Sequence, residues 1–109
     1  MYTVTKRLEV SAAHKLNLDY ESPCQRLHGH NWIIYITCQS TTLDANGMVI
    51  DFKKIKTLIH DKLDHRYIND VLKKNPTAEN IAKWIYDTVP YCVKVTVQES
   101  EGNVATYEA

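Results

Sequence analysis

The sequence has no apolar run long enough to cross a membrane, and its first residues, Met1-Tyr2-Thr3-Val4, contain no apolar signal core. It has no excess charge: 13 Lys and Arg balance 13 Asp and Glu, and no basic cluster stands out. Binding to nucleic acid through a basic surface is therefore not expected, and neither is a membrane partner. Cysteine is scarce: Cys24, Cys38 and Cys92 form no C-x-x-C pair. An odd count without a signal peptide predicts a reducing, cytoplasmic setting rather than a disulfide framework. There are no internal repeats, linkers or low-complexity stretches. What is present is 109 residues, 44% apolar and 24% charged, which fits a single small domain over residues 1–109 with a core of its own.

Residues 2–14 alternate in character. Tyr2, Val4, Leu8, Val10 and Ala12 share one face with Lys6, and His14 falls in register at its end. A polar loop over 15–27 follows. Residues 28–40 form a second strand, apolar on both faces in its middle, so cover is needed on both sides. Asn46-Gly47 signals a turn, with Met48-Val49-Ile50 as a short returning strand. Asp51 caps a helix that runs to about residue 63 on Phe52, Ile55, Leu58, Ile59 and Leu63. Thr77 caps a second helix, whose stripe is Ala78, Ile81, Ala82, Ile85 and Val89, and Pro90 ends it. Residues 92–99 form a strand with Val93, Val95 and Val97 on one face, and a short strand follows around Val104 to Tyr107. The predicted order is β-β-β-α-α-β, an α+β fold with both helices on one face of an antiparallel sheet. Nothing is left to cover the other face, which predicts self-association into a homo-oligomer.

The stretch Cys24-Gln25-Arg26-Leu27-His28-Gly29-His30 organises the chemistry. Residues two apart on a strand share a face, so His28 and His30 project side by side, with Gly29 expected to leave room behind them. Alone, an H-x-H pair is a common surface feature. His14 supplies a third imidazole, and three histidines with one open position make the pattern of a catalytic zinc site. Cys24 reads either as a reactive thiol, as an inert loop cysteine, or as a fourth ligand that would close the site. Asp64-His65 reads as an acid–base pair or as a histidine complementing a helix C-terminus.

Glu99 extends the valine face of the last clear strand. There an unpaired carboxylate is unfavourable, and a ligand with two adjacent N–H donors would satisfy it. Thr77 and Ala78 open the second helix. Capping explains Thr77, and the helix start also offers N–H groups to a polar ligand edge, which makes both candidate substrate-binding residues.

Together, Ser11-Ala12-Ala13-His14, Cys24-x3-His28-Gly29-His30, Asp51-Phe52, Leu63-Asp64-His65, Pro76-Thr77-Ala78-Glu79-Asn80 and Glu99-Ser100 resemble the 6-pyruvoyltetrahydropterin synthase family. The pieces occur in the family's order and span nearly the whole chain. The short Cys-x3-His spacing is similar to the 6-carboxytetrahydropterin synthase branch of the queuosine (7-deazaguanine) pathway. Val10 departs from the pattern, since an aromatic residue is usual there, and the loops are short.

The resemblance implies a tunnelling fold, in which four-stranded sheets join into a barrel with helices outside, commonly as a hexamer with shared active sites. It implies Zn2+ on His14, His28 and His30, and 7,8-dihydroneopterin triphosphate as substrate. The implied products are 6-carboxytetrahydropterin, acetaldehyde and triphosphate. Cys24 is implied as the base, Asp64 and His65 as relay partners from a neighbouring subunit, and Glu99 as the pterin anchor. The alternatives are a 6-pyruvoyltetrahydropterin synthase, a non-catalytic pterin- or metal-binding module, and a structural zinc protein that unfolds on chelation.

Overall fold

Two long strands open the chain in the computed structural model, which describes all 109 residues. β1 (Tyr2–His14) and β2 (His28–Ser40) pair antiparallel over their full length, from Tyr2 opposite Ser40 to His14 opposite His28. A helix α1 follows over 52–63. Asp51 caps it, its carboxylate accepting from the Lys53 N–H at 2.8 Å. α1 is α-helical over Phe52–Ile55, π-helical over Lys56–His60 and α-helical again over Asp61–Leu63. The second helix, α2 (Ala78–Thr88), is capped by Thr77, whose hydroxyl accepts from the Asn80 N–H at 3.1 Å. Two strands, β3 (Cys92–Ser100) and β4 (Asn103–Glu108), complete a sheet of order β1-β2-β3-β4, antiparallel throughout.

The observed order is therefore β-β-α-α-β-β, which corrects one expected element. Met48-Val49-Ile50 is not a strand. Asn46-Gly47 does turn the chain, with Gly47 at φ 79°, but the Asp44 carboxylate accepts from the N–H groups of Asn46 and Met48 and closes a local loop. Val49 and Ile50 are buried without being paired to a strand. The fourth strand is β4, reached through Gly102 at φ 83°. Only glycine adopts that left-handed geometry without strain.

One face of the sheet carries the core. Leu8, Val10, Ala12, Trp32, Ile34, Ile36, Val95 and Val97 meet Ile55, Ile59 and Leu63 of α1 and Ile81, Ala82 and Ile85 of α2. Burying such side chains contributes about 1.5–3 kcal/mol each. Cys92 also lies in this core, contrary to simple alternation. The pairing of β2 with β3 shifts between Thr37 and Cys38 and sets Cys92 opposite Cys38. The hydrogen bond between them, together with burial, pushes the Cys38 thiol up, while the same bond pulls the Cys92 thiol down. Both side chains are buried in the core and serve packing. The other face of the sheet is largely polar, with Ile33 and Tyr35 on the inner strand β2 and Val104 on the edge strand β4, and no element of this chain covers it.

The segment after α1 lies along the free edge of β1. The His65 N–H donates to the Ser11 carbonyl at 2.7 Å, and the Ala13 N–H to the Arg66 carbonyl at 3.0 Å. Tyr67 forms a parallel bridge with Ala13. Tertiary contact thus organises a stretch that reads as irregular in sequence.

Candidate metal centre and its surroundings

The strand period places His14, His28 and His30 on the core face of the sheet, beyond the end of the apolar packing. His14 pairs with His28 across β1 and β2, and Ala12 with His30. Trp32 is the floor beneath them. Its ring stands edge-on to His14 and His30, with centroids 4.9 and 5.3 Å away, and its indole N–H donates to the Ala12 carbonyl at 3.1 Å. Glu99, at the end of β3, joins the three histidines. One ligand atom from each of His14, His28, His30 and Glu99 falls within 4.8 Å of all the others.

Two backbone carbonyls orient the rings. His14 Nδ1 lies 2.8 Å from the Pro76 oxygen, and His28 Nδ1 lies 2.7 Å from the Arg26 oxygen. A carbonyl only accepts, so each Nδ1 carries the proton and each Nε2 keeps its lone pair, the tautomer a metal ligand needs. Burial holds the His14 ring below the usual histidine value of 6.5, opposed by the bond to Pro76, so the ring is neutral at neutral pH. The Nε2 atoms of His14 and His30 are buried with no hydrogen-bond partner. Buried polar atoms are rarely left so. A cation shared among these donors satisfies both, and the donor set of imidazoles with one carboxylate suits a metal ion such as zinc.

The remaining candidates lie outside this group. Cys24 sits half-buried in the 3-10 turn Pro23–Gln25, and its thiol is not among the converging ligand atoms. The loop that carries it is pinned from two sides. The Asn69 side chain makes a two-point bridge to the backbone of Lys15, at 3.0 and 2.9 Å, and the Asn75 side chain makes another to Asn17, at 2.8 and 3.1 Å. The Leu16 N–H donates to the Cys24 carbonyl at 2.8 Å. Asn75 adjoins Pro76, so one short segment orients both a metal-site ring and the Cys24 loop. Asn75→Ala is expected to leave metal content unchanged and to speed alkylation of Cys24 by iodoacetamide. The lost pair of hydrogen bonds should lower stability by about 1–2 kcal/mol, read from thermal unfolding.

Asp64 and His65 stand together at the β1 edge. Asp64 Oδ1 accepts from the Ser11 N–H at 2.9 Å, and Oδ2 lies 3.6 Å from Nε2 of His65 and of His60. His65 has φ 58°, a geometry uncommon outside glycine, and its side chain is 82% exposed. With Ser11, Gly29, His30 and Tyr67 it lines an open cavity of roughly 550 Å³. Thr77 spends its hydroxyl on the cap and Ala78 is buried in the core, so what they offer a ligand is backbone.

Three features differ from the sequence reading or were not visible in it. A Cβ on Gly29 would make only an ordinary 3.7 Å contact with the Ala12 oxygen, so room behind the histidines is not its role within this chain. Glu99, expected as an anchor for a ligand, points one oxygen to within 3.0 Å of His30 Nε2. The carbonyl of Pro76 and the side chains of Asn69 and Asn75 carry no sequence signal, because their partners lie more than fifty residues away. The Arg26 carbonyl is local, but any residue type would supply that oxygen.

Comparison with known proteins agrees with this arrangement. A curated 6-carboxy-5,6,7,8-tetrahydropterin synthase of Bacillus subtilis is 32% identical over 97% of this chain and 84% of its own length. The enzyme of the same name from Synechocystis is 36% identical, over 98% of this chain and 93% of its own. Among solved structures, the 6-pyruvoyl tetrahydropterin synthase of Caenorhabditis elegans superposes with a TM-score of 0.78 at 26% identity, covering 99% of this chain and 95% of that one. The family model for 6-pyruvoyl tetrahydropterin synthase matches residues 3–109, from the second residue of β1 to the last of the chain, so the histidine-bearing hairpin, both helices and the strand that brings in Glu99 all fall inside it, and the chain belongs to that family.

Proposed function

We propose that this protein is a zinc-dependent 6-carboxy-5,6,7,8-tetrahydropterin synthase, a carbon–carbon lyase that converts 7,8-dihydroneopterin triphosphate to 6-carboxytetrahydropterin, acetaldehyde and triphosphate. The observation that carries the reading is the pair of buried, unpartnered Nε2 atoms on His14 and His30, beside His28 with its ring set by Arg26. His14, His28 and His30 would hold the zinc, which when bound would supply Lewis acidity toward the side-chain oxygens of the substrate. The chain's own groups do the rest. Cys24 takes and returns protons at the pterin and side-chain carbons. Asp64, fixed by the Ser11 N–H, orients His65 for proton transfer. Glu99 accepts from the 2-amino group and N3 of the pterin, and the backbone at Thr77 and Ala78 borders the same ligand.

His65 is 82% exposed beside the edge of β1, lines the open cavity next to His30, and is not one of the converging ligand atoms of its own chain. It therefore serves a site shared with a second copy, in a homo-oligomer whose barrel uses the uncovered sheet face. A hexamer is the assembly this reading favours. Incubation with dihydroneopterin triphosphate and identification of products by mass tests the function: 6-carboxytetrahydropterin and acetaldehyde are expected. The similarity to the Caenorhabditis elegans structure favours a second reading, a 6-pyruvoyltetrahydropterin synthase. Accumulation of a pyruvoyl product with no acetaldehyde would establish it and overturn the first.

A further inference from the structure

We infer that Glu99 has two mutually exclusive partners, closing the metal's fourth position while the site is empty of substrate and leaving it when a ligand with adjacent N–H donors arrives. Glu99 Oε1 lies 3.0 Å from His30 Nε2. At that distance an N–H aimed at the oxygen would make a charge-assisted hydrogen bond. No such bond exists, because His30 Nε2 has no hydrogen-bond partner. The nitrogen and the oxygen thus stand at contact distance without hydrogen-bond geometry, within a group whose ligand atoms all lie within 4.8 Å of one another. Four donor atoms gathered this closely, one pair of them 3.0 Å apart, would suit a small divalent cation such as zinc.

The backbone explains why a carboxylate reaches this point. The pairing of β3 with β4 shifts between Gln98 and Ser100 and leaves Glu99 as the extra residue. A bulge re-aims the side chain it carries. The Glu99 side chain is still 25% exposed, so it is open to an arriving ligand as well as to the histidines.

Three imidazoles and a carboxylate make a four-coordinate, closed set, which suits a structural metal, whereas catalysis requires an open position. Two parallel N–H donors would draw both oxygens of Glu99 into a bidentate pair and release the metal. Recognition of the ligand's ring edge then opens the position that its side chain occupies. This inference rests on the pterin reading of the site. It makes Glu99 a specificity device: a compound with a suitable side chain but the wrong ring edge meets a closed metal.

The test uses the full chain loaded with Co2+, whose visible absorption reports coordination, and 6-methylpterin, which has the ring edge but no side-chain oxygen. In the parent, 6-methylpterin is expected to change the cobalt spectrum. In Glu99→Gln the resting spectrum should already differ from the parent's and should not respond to 6-methylpterin, with cobalt affinity lower by about 10- to 100-fold. Glu99→Asp, which keeps the charge, guards against misfolding by restoring part of the affinity. Identical resting spectra in parent and Glu99→Gln would overturn the metal partnership. Quenching of 6-methylpterin fluorescence by the parent without a cobalt change would overturn the exchange. If 6-methylpterin does not bind the parent while Glu99→Gln alters the resting spectrum, the pterin reading fails and the exchange with it, but Glu99 stands as a ligand.

Discussion

His28→Ala is expected to yield a folded protein that holds no stoichiometric metal and shows no detectable turnover. His28 begins β2 at the rim of the core, half-buried, with its ring held only by the Arg26 carbonyl. Its removal leaves a small solvated gap rather than an internal cavity, so the melting temperature of the metal-free form should change little. Loss of one of the three imidazoles removes a neutral nitrogen donor whose place only water can take, and metal affinity should fall by about 100-fold. His14→Ala is a harsher change. His14 is fully buried against Trp32, and its loss strands the Pro76 oxygen as well as opening space. That variant should lose metal and also about 2–5 kcal/mol of stability. Metal analysis with thermal unfolding separates the two cases. A full equivalent of zinc in His28→Ala would sink the metal assignment.

Cys24→Ala is expected to retain metal and lose turnover by about 10²- to 10⁴-fold, the usual contribution of a proton-transferring group. The thiol is not one of the converging ligand atoms, so metal should be untouched. If metal leaves with the thiol, Cys24 is a ligand after all. The same residue tests the shared site. His65 and Asp64 belong to the free edge of β1, whereas Cys24 belongs to the loop between β1 and β2. A mixture of inactive Cys24→Ala and inactive His65→Ala subunits should regain part of the parent activity once subunits exchange, because some sites then receive one intact residue from each chain. No recovery after exchange verified by mass would place both residues in a single subunit's site.

Much of the histidine geometry was legible in the sequence because the strand period is two and nothing between residues 28 and 40 of β2 interrupts it near the histidines. The caps were legible for a similarly local reason: Asp51 and Thr77 bond N–H groups two or three residues away. Met48-Val49-Ile50 misled because an apolar triplet after Asn-Gly reads as a returning strand, whereas Asp44 closes the loop first. The π-helical turn at Lys56–His60 has no pattern distinct from an α-helix. Cys92 and Glu99 depend on register shifts, which are properties of strand pairs and not of either strand alone. The orienting carbonyl of Pro76 lies 62 residues from the ring it holds, and any residue type would supply that oxygen.

That separation along the chain has a consequence for synthesis. The three imidazoles all lie in the first hairpin, which leaves the ribosome before either helix exists. A nascent β1–β2 pair already carries enough nitrogen donors to capture a metal ion, but with the His14 ring free to turn. The carbonyl of Pro76 fixes that ring only when the segment before α2 has docked, and Glu99 arrives last of all, with β3. In the proposed metal site, the donors are thus assembled in the order of the chain, and the fourth would be in place only once β3 has joined the sheet.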